Sequence, residues 1–450
     1  MATSWLAPEF HPTLLRRMEE ARDRTDSLFR ILPPNSFYER PVAERHRLIF
    51  YLGHLEAFDW NLLSGALGLE SQSPEFDKLF AFGIDPVDGG LPSDKPADWP
   101  SIAHVEKYNR HKRERLDSAL HDSRAARSKD ESLADGTLLH VAIEHRLMHA
   151  ETLAYLLHNL ALARKIPQPS DRSDPRPAPQ SPQVAIPAGA ATLGQPGNGS
   201  CRFGWDNEFE TEEVLVPGFS IDAFPVTNAE YLKFLLAGGY KDPGYWRPED
   251  WEWKSRHGIE YPHFWVPRSN FPALEPEGAW EYRGMFGTIP LPPSWPVYVS
   301  HAEAAAYARW SGKKLPTEAQ WHRAAYATPQ ESERAYPWGD EAPDPSRGNF
   351  HFERWDAAPV DAHPAGASAY GVFDLLGNGW EWTSTPFAPL PGFQPFPFYR
   401  GYSADFFDGK HFVMKGGSAR TDACMLRRSF RNWFQPHYPY VYATFRCVEE

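Results

Sequence analysis

The sequence predicts an α+β protein in two parts: a four-helix bundle over residues 1–165, then a strand- and turn-rich domain over 185–450. Three observations predict it. Up to about Arg164, apolar residues recur three and four apart, the period of an amphipathic helix. Residues 166–184 are rich in proline, whose missing backbone donor and fixed φ exclude helix and central strand and mark a linker. Beyond it the helical period mostly gives way to short strands, Gly/Pro turns and scattered tryptophans, in a chain holding 44 Pro, 32 Gly and 17 Trp.

Four long helical segments are expected over residues 10–33, 41–66, 101–124 and 133–163. Leu14, Leu15, Met18, Leu28, Phe29 and Leu32 form the first apolar stripe; Leu48, Leu52, Leu55, Phe58 and Leu62 form the second. An antiparallel bundle buries such stripes together. Pro33-Pro34-Asn35 closes the first helix, and Asp85–Gly90 lies in a long crossover between the second and third. In the second part helices are expected at Asn228–Leu236, Ala302–Trp310 and Glu318–Tyr326. Neither a repeat of fixed period nor a phosphate-cradling glycine loop after a strand occurs.

Charge and composition exclude several functions. With 46 Lys+Arg against 59 Asp+Glu, the net charge of −13 repels a phosphate backbone, so no nucleic-acid partner is expected. No run approaches the ~18 apolar residues of a membrane helix, so no membrane partner is expected either. The opening MATSWLAPEF lacks the basic and apolar regions of a secretory signal, and three cysteines are too few for a disulfide framework. A cytoplasmic location is the expectation.

The fourth helical segment contains Glu144-His145-Arg146-Leu147-Met148-His149-Ala150-Glu151-Thr152. Residues four apart share a helix face, so His145 and His149 can grip one metal, while Leu138, Val141, Thr152 and Leu156 carry the same stripe into the core. For an arbitrary pair so spaced, two hydrogen-bonded core histidines are the commoner case. A third imidazole changes this: His54 lies between Tyr51, Leu55 and Phe58 on the inward stripe of the second segment. Three neutral imidazoles suit zinc, iron or copper almost equally. His140, five residues before His145 and about 140° round the helix, reads as a rim or core histidine.

In the second part, Pro225-Val226-Thr227-Asn228-Ala229-Glu230-Tyr231, Lys314-Leu315-Pro316-Thr317-Glu318-Ala319-Gln320-Trp321, Gly377-Asn378-Gly379-Trp380-Glu381-Trp382-Thr383, Lys415-Gly416-Gly417-Ser418 and Phe445-Arg446-Cys447 resemble the formylglycine-generating enzyme family. That resemblance implies a variant of the C-type lectin fold. Cys424 and Cys447, 23 residues apart, do not reproduce the closely spaced cysteine pair that holds copper in those enzymes, so sulfatase maturation is not expected. A histidine-bearing, DinB-like bundle ahead of such a domain resembles the sulfoxide synthases of ergothioneine biosynthesis and their relative, selenoneine synthase. Phe203-Gly204-Trp205-Asp206-Asn207-Glu208 and Arg431-Asn432-Trp433 also match phrases of that family.

The resemblance implies that His54, His145, His149 and Glu151 belong to a ferrous-iron site, where Glu151 orients a ligand histidine or water, although its place on the helix reads equally as that of an ordinary salt bridge. It implies too that Asn432 and Trp433 receive the trimethylammonium group of hercynine, which an aromatic face attracts although it donates no hydrogen bond. The reaction implied joins a chalcogen to the hercynine imidazole with dioxygen as oxidant. Tyr399 or Tyr402 is the expected proton donor.

Several positions depart from the thiol-using relatives. Lys78–Pro86 replaces paired tyrosines, Met148 stands where glutamine is usual, and Phe434 stands where some relatives place a thiol-anchoring aspartate. Arg110 and Arg113 resemble a pair that binds γ-glutamylcysteine carboxylates, although the stretch from Arg110 to Arg115 reads equally as a solvated basic face. The ending Trp433–Arg446 looks more like selenoneine synthases, so a selenosugar is the expected donor, with Phe396, Phe398, Tyr399, Tyr402, Phe434 and Tyr438 as stacking surfaces. A carbon–sulfur synthase using cysteine or γ-glutamylcysteine is the alternative. From other classes, a zinc-dependent thiol transferase and a noncatalytic lectin-like binder remain open.

Overall fold

The computed structural model describes residues 11–81, 91–122, 128–169, 175–197, 203–268 and 276–450. They form two units, Met1–Gln168 and Pro169–Glu450.

The first unit is helical because its sequence buries one stripe per helix. Helix α1 (Pro12–Phe29) begins with a proline, whose missing N–H costs nothing in a first turn, and buries Leu15, Met18, Leu28 and Phe29. Helix α2 spans Leu48–Leu63, α4 Ile102–His121 and α6 Thr137–Asn159; α1 packs on α6, and α2 on both α4 and α6. All four are shorter than the periodic segments. Apolar period carries past helix ends, whereas the chain from Phe37 to Arg47 spends its hydrogen bonds on turns, with Ile49 N–H reaching the Phe37 carbonyl. Two short helices, α3 (Pro74–Leu79) and α5 (Glu131–Ala134), were not signalled by the period. Residues 82–90, which include the Asp85–Gly90 turn and part of the Lys78–Pro86 stretch, lie outside the described residues.

Helix α3 matters because it delivers Phe80 against α2. A Cβ added at Gly53 would stand 2.6 Å from the Phe80 ring, so only glycine lets the ring lie there.

The second unit is a set of small sheets with helices set among them. The order β10–β9–β8–β11 joins Asn432–Phe434, Phe412–Gly417, Gly379–Pro386 and Ala443–Thr444, antiparallel except for the β11–β8 pair. A second sheet joins β1 (Gln183–Ile186), β4 (Phe219–Asp222) and β12 (Val448–Glu449). Strands β2 (Gly189–Leu193) and β3 (Glu212–Val216) pair, as do β5 (Trp265–Pro267), β6 (Trp280–Arg283) and β7 (Thr288–Pro290). Helices α7 (Asn228–Leu236), α9 (His301–Trp310) and α10 (Glu318–Tyr326) stand where the sequence puts them, each opened by a reciprocal cap: Thr227 with Glu230, Ser300 with Glu303, Thr317 with Gln320. Helix α8 (Pro248–His257) was not anticipated, although Pro248 opens it and Gly258, at φ 64°, closes it.

Around Trp321, Phe350, Leu375 and Ile221 the core closes on a buried ion pair, Arg446 Nε to Glu381 Oε2 at 2.6 Å. The α+β class holds for the chain, with helices alone described in the first unit and all the strands in the second. Among the described residues no helix is long and apolar enough to cross a membrane.

Candidate metal centre

Three imidazoles converge inside the first unit. His54 comes from α2, and His145 and His149 from one face of α6; they are 2%, 4% and 2% exposed. One ligand nitrogen from each can be chosen so that all lie within 4.8 Å of one another. Ring centroids are 5.3 Å apart for His54–His145, 4.8 Å for His54–His149 and 4.5 Å for His145–His149.

Each ring is placed by its neighbours. His54 Nδ1 meets the Phe80 carbonyl at 2.7 Å. A carbonyl only accepts, so Nδ1 carries the hydrogen and the Nε2 lone pair is left for the cluster. Phe58 stacks on His145 at 3.4 Å and 10°, Phe50 on His54 at 4.9 Å, and Tyr51 stands 5.8 Å from His149.

The donors suit a metal. Burial pushes His54 down to about 4 and His145 and His149 well below the ordinary histidine range, so all three are neutral near pH 7, as a ligand must be. His54 Nε2 and His149 Nδ1 are buried without a hydrogen-bond partner among the described residues, which a bound ion would satisfy. Three neutral donors leave further coordination positions to water or substrate.

Glu151 is not part of this cluster. Two residues beyond His149, its side chain starts about 200° round the helix, away from the imidazole face. Met148 is half-buried on α6, its carbonyl accepting from Thr152 at 3.2 Å. Arg110 is exposed on α4. Arg113 is engaged inside the bundle: its guanidinium grips Asp26 at 2.7 and 2.8 Å and Glu56 at 2.9 and 2.6 Å. The buried Arg146 continues the network, reaching Glu56 at 2.9 Å and Asp59 at 2.6 Å.

In the second unit Trp433, on β10, stacks on Phe387 at 4.1 Å and 7°, which covers one of its faces. Tyr402 approaches edge-on at 5.5 Å and Phe406 at 5.6 Å. The Asn432 Oδ1 accepts from the Trp433 N–H at 2.9 Å, locking the side chain onto its own strand. Phe434 stacks on Tyr438 at 5.2 Å. Tyr399 stands 5.6 Å from Tyr402, and burial together with Asp206 pushes its phenol up to about 12. Phe387 and Phe406 escaped the sequence reading because no spacing marks which phenylalanines of so aromatic a chain gather at one ring. Phe50 had a signal, standing four residues before His54 on the same face.

The fold and the histidine cluster define a class: a metal-suited helical bundle followed by a domain of the formylglycine-generating type. Family models agree, the DinB superfamily matching residues 17–153 and the sulfatase-modifying factor enzyme 1-like domain matching 169–450. Hercynine oxygenase of Mycolicibacterium smegmatis is 38% identical over 66% of this chain and 68% of its own length. Hercynine oxygenase of Mycobacterium tuberculosis is 40% identical over 54% of this chain and 55% of its own. Ergothioneine biosynthesis protein 1 of Neurospora crassa is 30% identical over 93% of this chain and 56% of its own length. The chain belongs to the sulfatase-modifying factor enzyme 1-like family, carries a DinB-superfamily match ahead of that domain, and is similar to hercynine oxygenases and an ergothioneine biosynthesis protein. It spans about half the length of several of the curated relatives it matches.

Proposed function

We propose that this protein is a non-haem ferrous-iron oxidoreductase that joins selenium from a selenosugar to the imidazole carbon of hercynine, using dioxygen. The observation that carries the reading is the meeting of three buried neutral imidazoles, one ligand nitrogen of each lying within 4.8 Å of the others. His54, His145 and His149 hold the iron. Ferrous iron held there would supply the redox chemistry by which dioxygen oxidises the selenium donor.

The chain's own residues do the rest. Phe80 holds His54 in one tautomer, and Phe58 and Phe50 fix the planes of two imidazoles. Asn432 and Trp433 receive the trimethylammonium group, Trp433 being backed by the Phe387 ring stacked on one of its faces. Tyr399 or Tyr402 holds the proton to be delivered. In balance, a C–Se bond forms as C–H and Se–H break, dioxygen takes four electrons, one oxygen atom leaves as water and the other ends on selenium.

The selenosugar is favoured over a thiol amino acid by two observations. Phe434 offers a ring stacked on Tyr438 where an anchoring carboxylate would otherwise stand. Arg113 is already committed to Asp26 and Glu56, which removes one half of an arginine pair for γ-glutamylcysteine. The carbon–sulfur alternative draws on the names of the ergothioneine and hercynine relatives.

Purified protein with ferrous iron, air and hercynine, offered selenosugar, cysteine and γ-glutamylcysteine in parallel, decides the donor by mass spectrometry of the products. A selenium-bearing hercynine adduct is expected from the selenosugar alone; reaction with only a thiol amino acid overturns the selenium reading. Metal analysis distinguishes iron from zinc. Ligand binding undiminished by alanine at His54, His145 and His149, with no turnover in the parent protein, identifies a binder.

A further inference from the structure

The turn Asp206–Glu208 in the second unit contains two buried carboxylates with different duties. Glu208 closes the turn, accepting the Trp205 N–H at 2.9 Å, and is ion-paired with Arg427 while the Ser429 hydroxyl donates to it at 2.6 Å. Within the turn, Asp206 is hydrogen-bonded only to its neighbour Asn207. It is 1% exposed, and its hydrogen bonds run far along the chain: Ser403 Oγ donates to Oδ1 at 2.6 Å, and the Phe396 backbone N–H donates to the same carboxylate.

One carboxylate thus holds both ends of residues 396–403, a segment without helix or strand whose Pro397 and Arg400 are exposed. That segment carries Tyr399 and Tyr402. Trp205, next to Asp206, stacks on Tyr402 at 3.9 Å and meets Tyr399 edge-on at 6.4 Å, and Tyr402 meets Trp433 at 5.5 Å. Contacts therefore run unbroken from Asp206 through the two tyrosines to the ring proposed to receive the quaternary ammonium.

We propose that Asp206 is a positioning residue, whose buried carboxylate fastens residues 396–403 and sets where Tyr399 and Tyr402 stand against Trp433. This rests on the functional reading above only for its consequence in turnover. Burial pushes Asp206 up to about 6, against the hydrogen bonds that hold it down, and its charge faces Tyr399. The ionisable groups packed against its neighbours in the chain are Tyr402 on Trp205, Arg427 on Glu208, and Arg431, whose Nη1 lies 3.5 Å from the Asn207 carbonyl.

The test uses the full chain and the variants Asp206→Asn and Ser403→Ala, with thermal unfolding as the folding control. A 3-fluorotyrosine placed at residue 399 reports its ring by fluorine NMR without any turnover. It is expected to titrate at lower pH in Asp206→Asn than in the parent and to broaden in Ser403→Ala. With hercynine, selenosugar and iron, kcat is expected to fall about tenfold in Asp206→Asn, part of the roughly 10²–10⁴-fold that an aligned general acid contributes, and the acid limb of the kcat profile near pH 6 to disappear. An unchanged fluorine titration and line width in both variants overturns the proposal whatever the turnover. Absence of product from any donor with a shifted fluorine titration overturns the functional reading and leaves the role of Asp206 standing.

Discussion

At the scale of the residue, Gly53 decides more than its size suggests. Alanine there gains about 1 kcal/mol of helix propensity, yet its Cβ would sit 2.6 Å from the Phe80 ring, and overpacking of that kind costs about 1–3 kcal/mol. Displacing Phe80 also pulls its carbonyl from His54 Nδ1. Gly53→Ala is therefore expected to lose about 1 kcal/mol in urea unfolding and about tenfold or more in ferrous-iron affinity by calorimetric titration, as removal of an orienting partner does. Unchanged affinity would show that Phe80 does not hold the ligand. Asp374 offers a pH-dependent test. Burial pushes this carboxyl up to about 8 from the ordinary 3.8, despite the Asn378 amide donating to it at 2.7 Å. Because the folded form keeps the proton longer, this group's contribution is full below pH 4 and is lost as pH rises toward 8. Asparagine tolerates the φ of 56° and has no charge to bury, so Asp374→Asn is expected to flatten the decline in unfolding free energy between pH 5 and 8. A parallel decline in parent and variant would refute it.

At the scale of the element, α2 and α6 are joined by charge as well as by the apolar stripe. Against burial, which pushes it up, Arg146 and Arg113 hold Glu56 down at about 2, while burial keeps Asp59 above its ordinary range beside the same Arg146. Arg146→Met leaves Glu56 and Asp59 facing each other in the interior, and the expected cost is about 3–5 kcal/mol of unfolding free energy. The triple variant with Glu56→Gln and Asp59→Asn is expected to recover most of that loss; a triple variant no more stable than Arg146→Met would place the cost in packing. Much of this level was legible in advance. Caps such as Thr227–Glu230 and Thr317–Gln320 are short-range devices and mark helix starts wherever they occur. Helix α8 was missed because Trp251, Trp253 and charged residues give no apolar stripe, although the proline start and glycine stop were present. The pairing of β8 with both β9 and β11 joins strands far apart in sequence, and strands of two or three residues are too short to show a period.

At the scale of the molecule, the His54–His145–His149 triad was legible because helical spacing is rigid: four residues fix a face, and the inward stripe of α2 had one histidine to offer. The surroundings of Trp433 were not, since Phe387 reaches it from one segment and Tyr402 and Phe406 from another. A preformed triad has a consequence for the whole chain. An ion that binds only the folded bundle stabilises it by mass action, by about 2.7 kcal/mol when free iron is a hundred times its dissociation constant. For a unit the size of Met1–Gln168, each kcal/mol moves the midpoint by about 2–4 °C, so anaerobic ferrous iron is expected to raise the transition of the bundle by about 5–10 °C. Scanning calorimetry of the full chain measures it. The double variant His54→Ala/His149→Ala removes two of three donors, so wherever its cavities set the transition, adding iron is expected not to move it. A shift of equal size in that variant would locate the ion elsewhere in the chain and break the link between the three imidazoles and the metal.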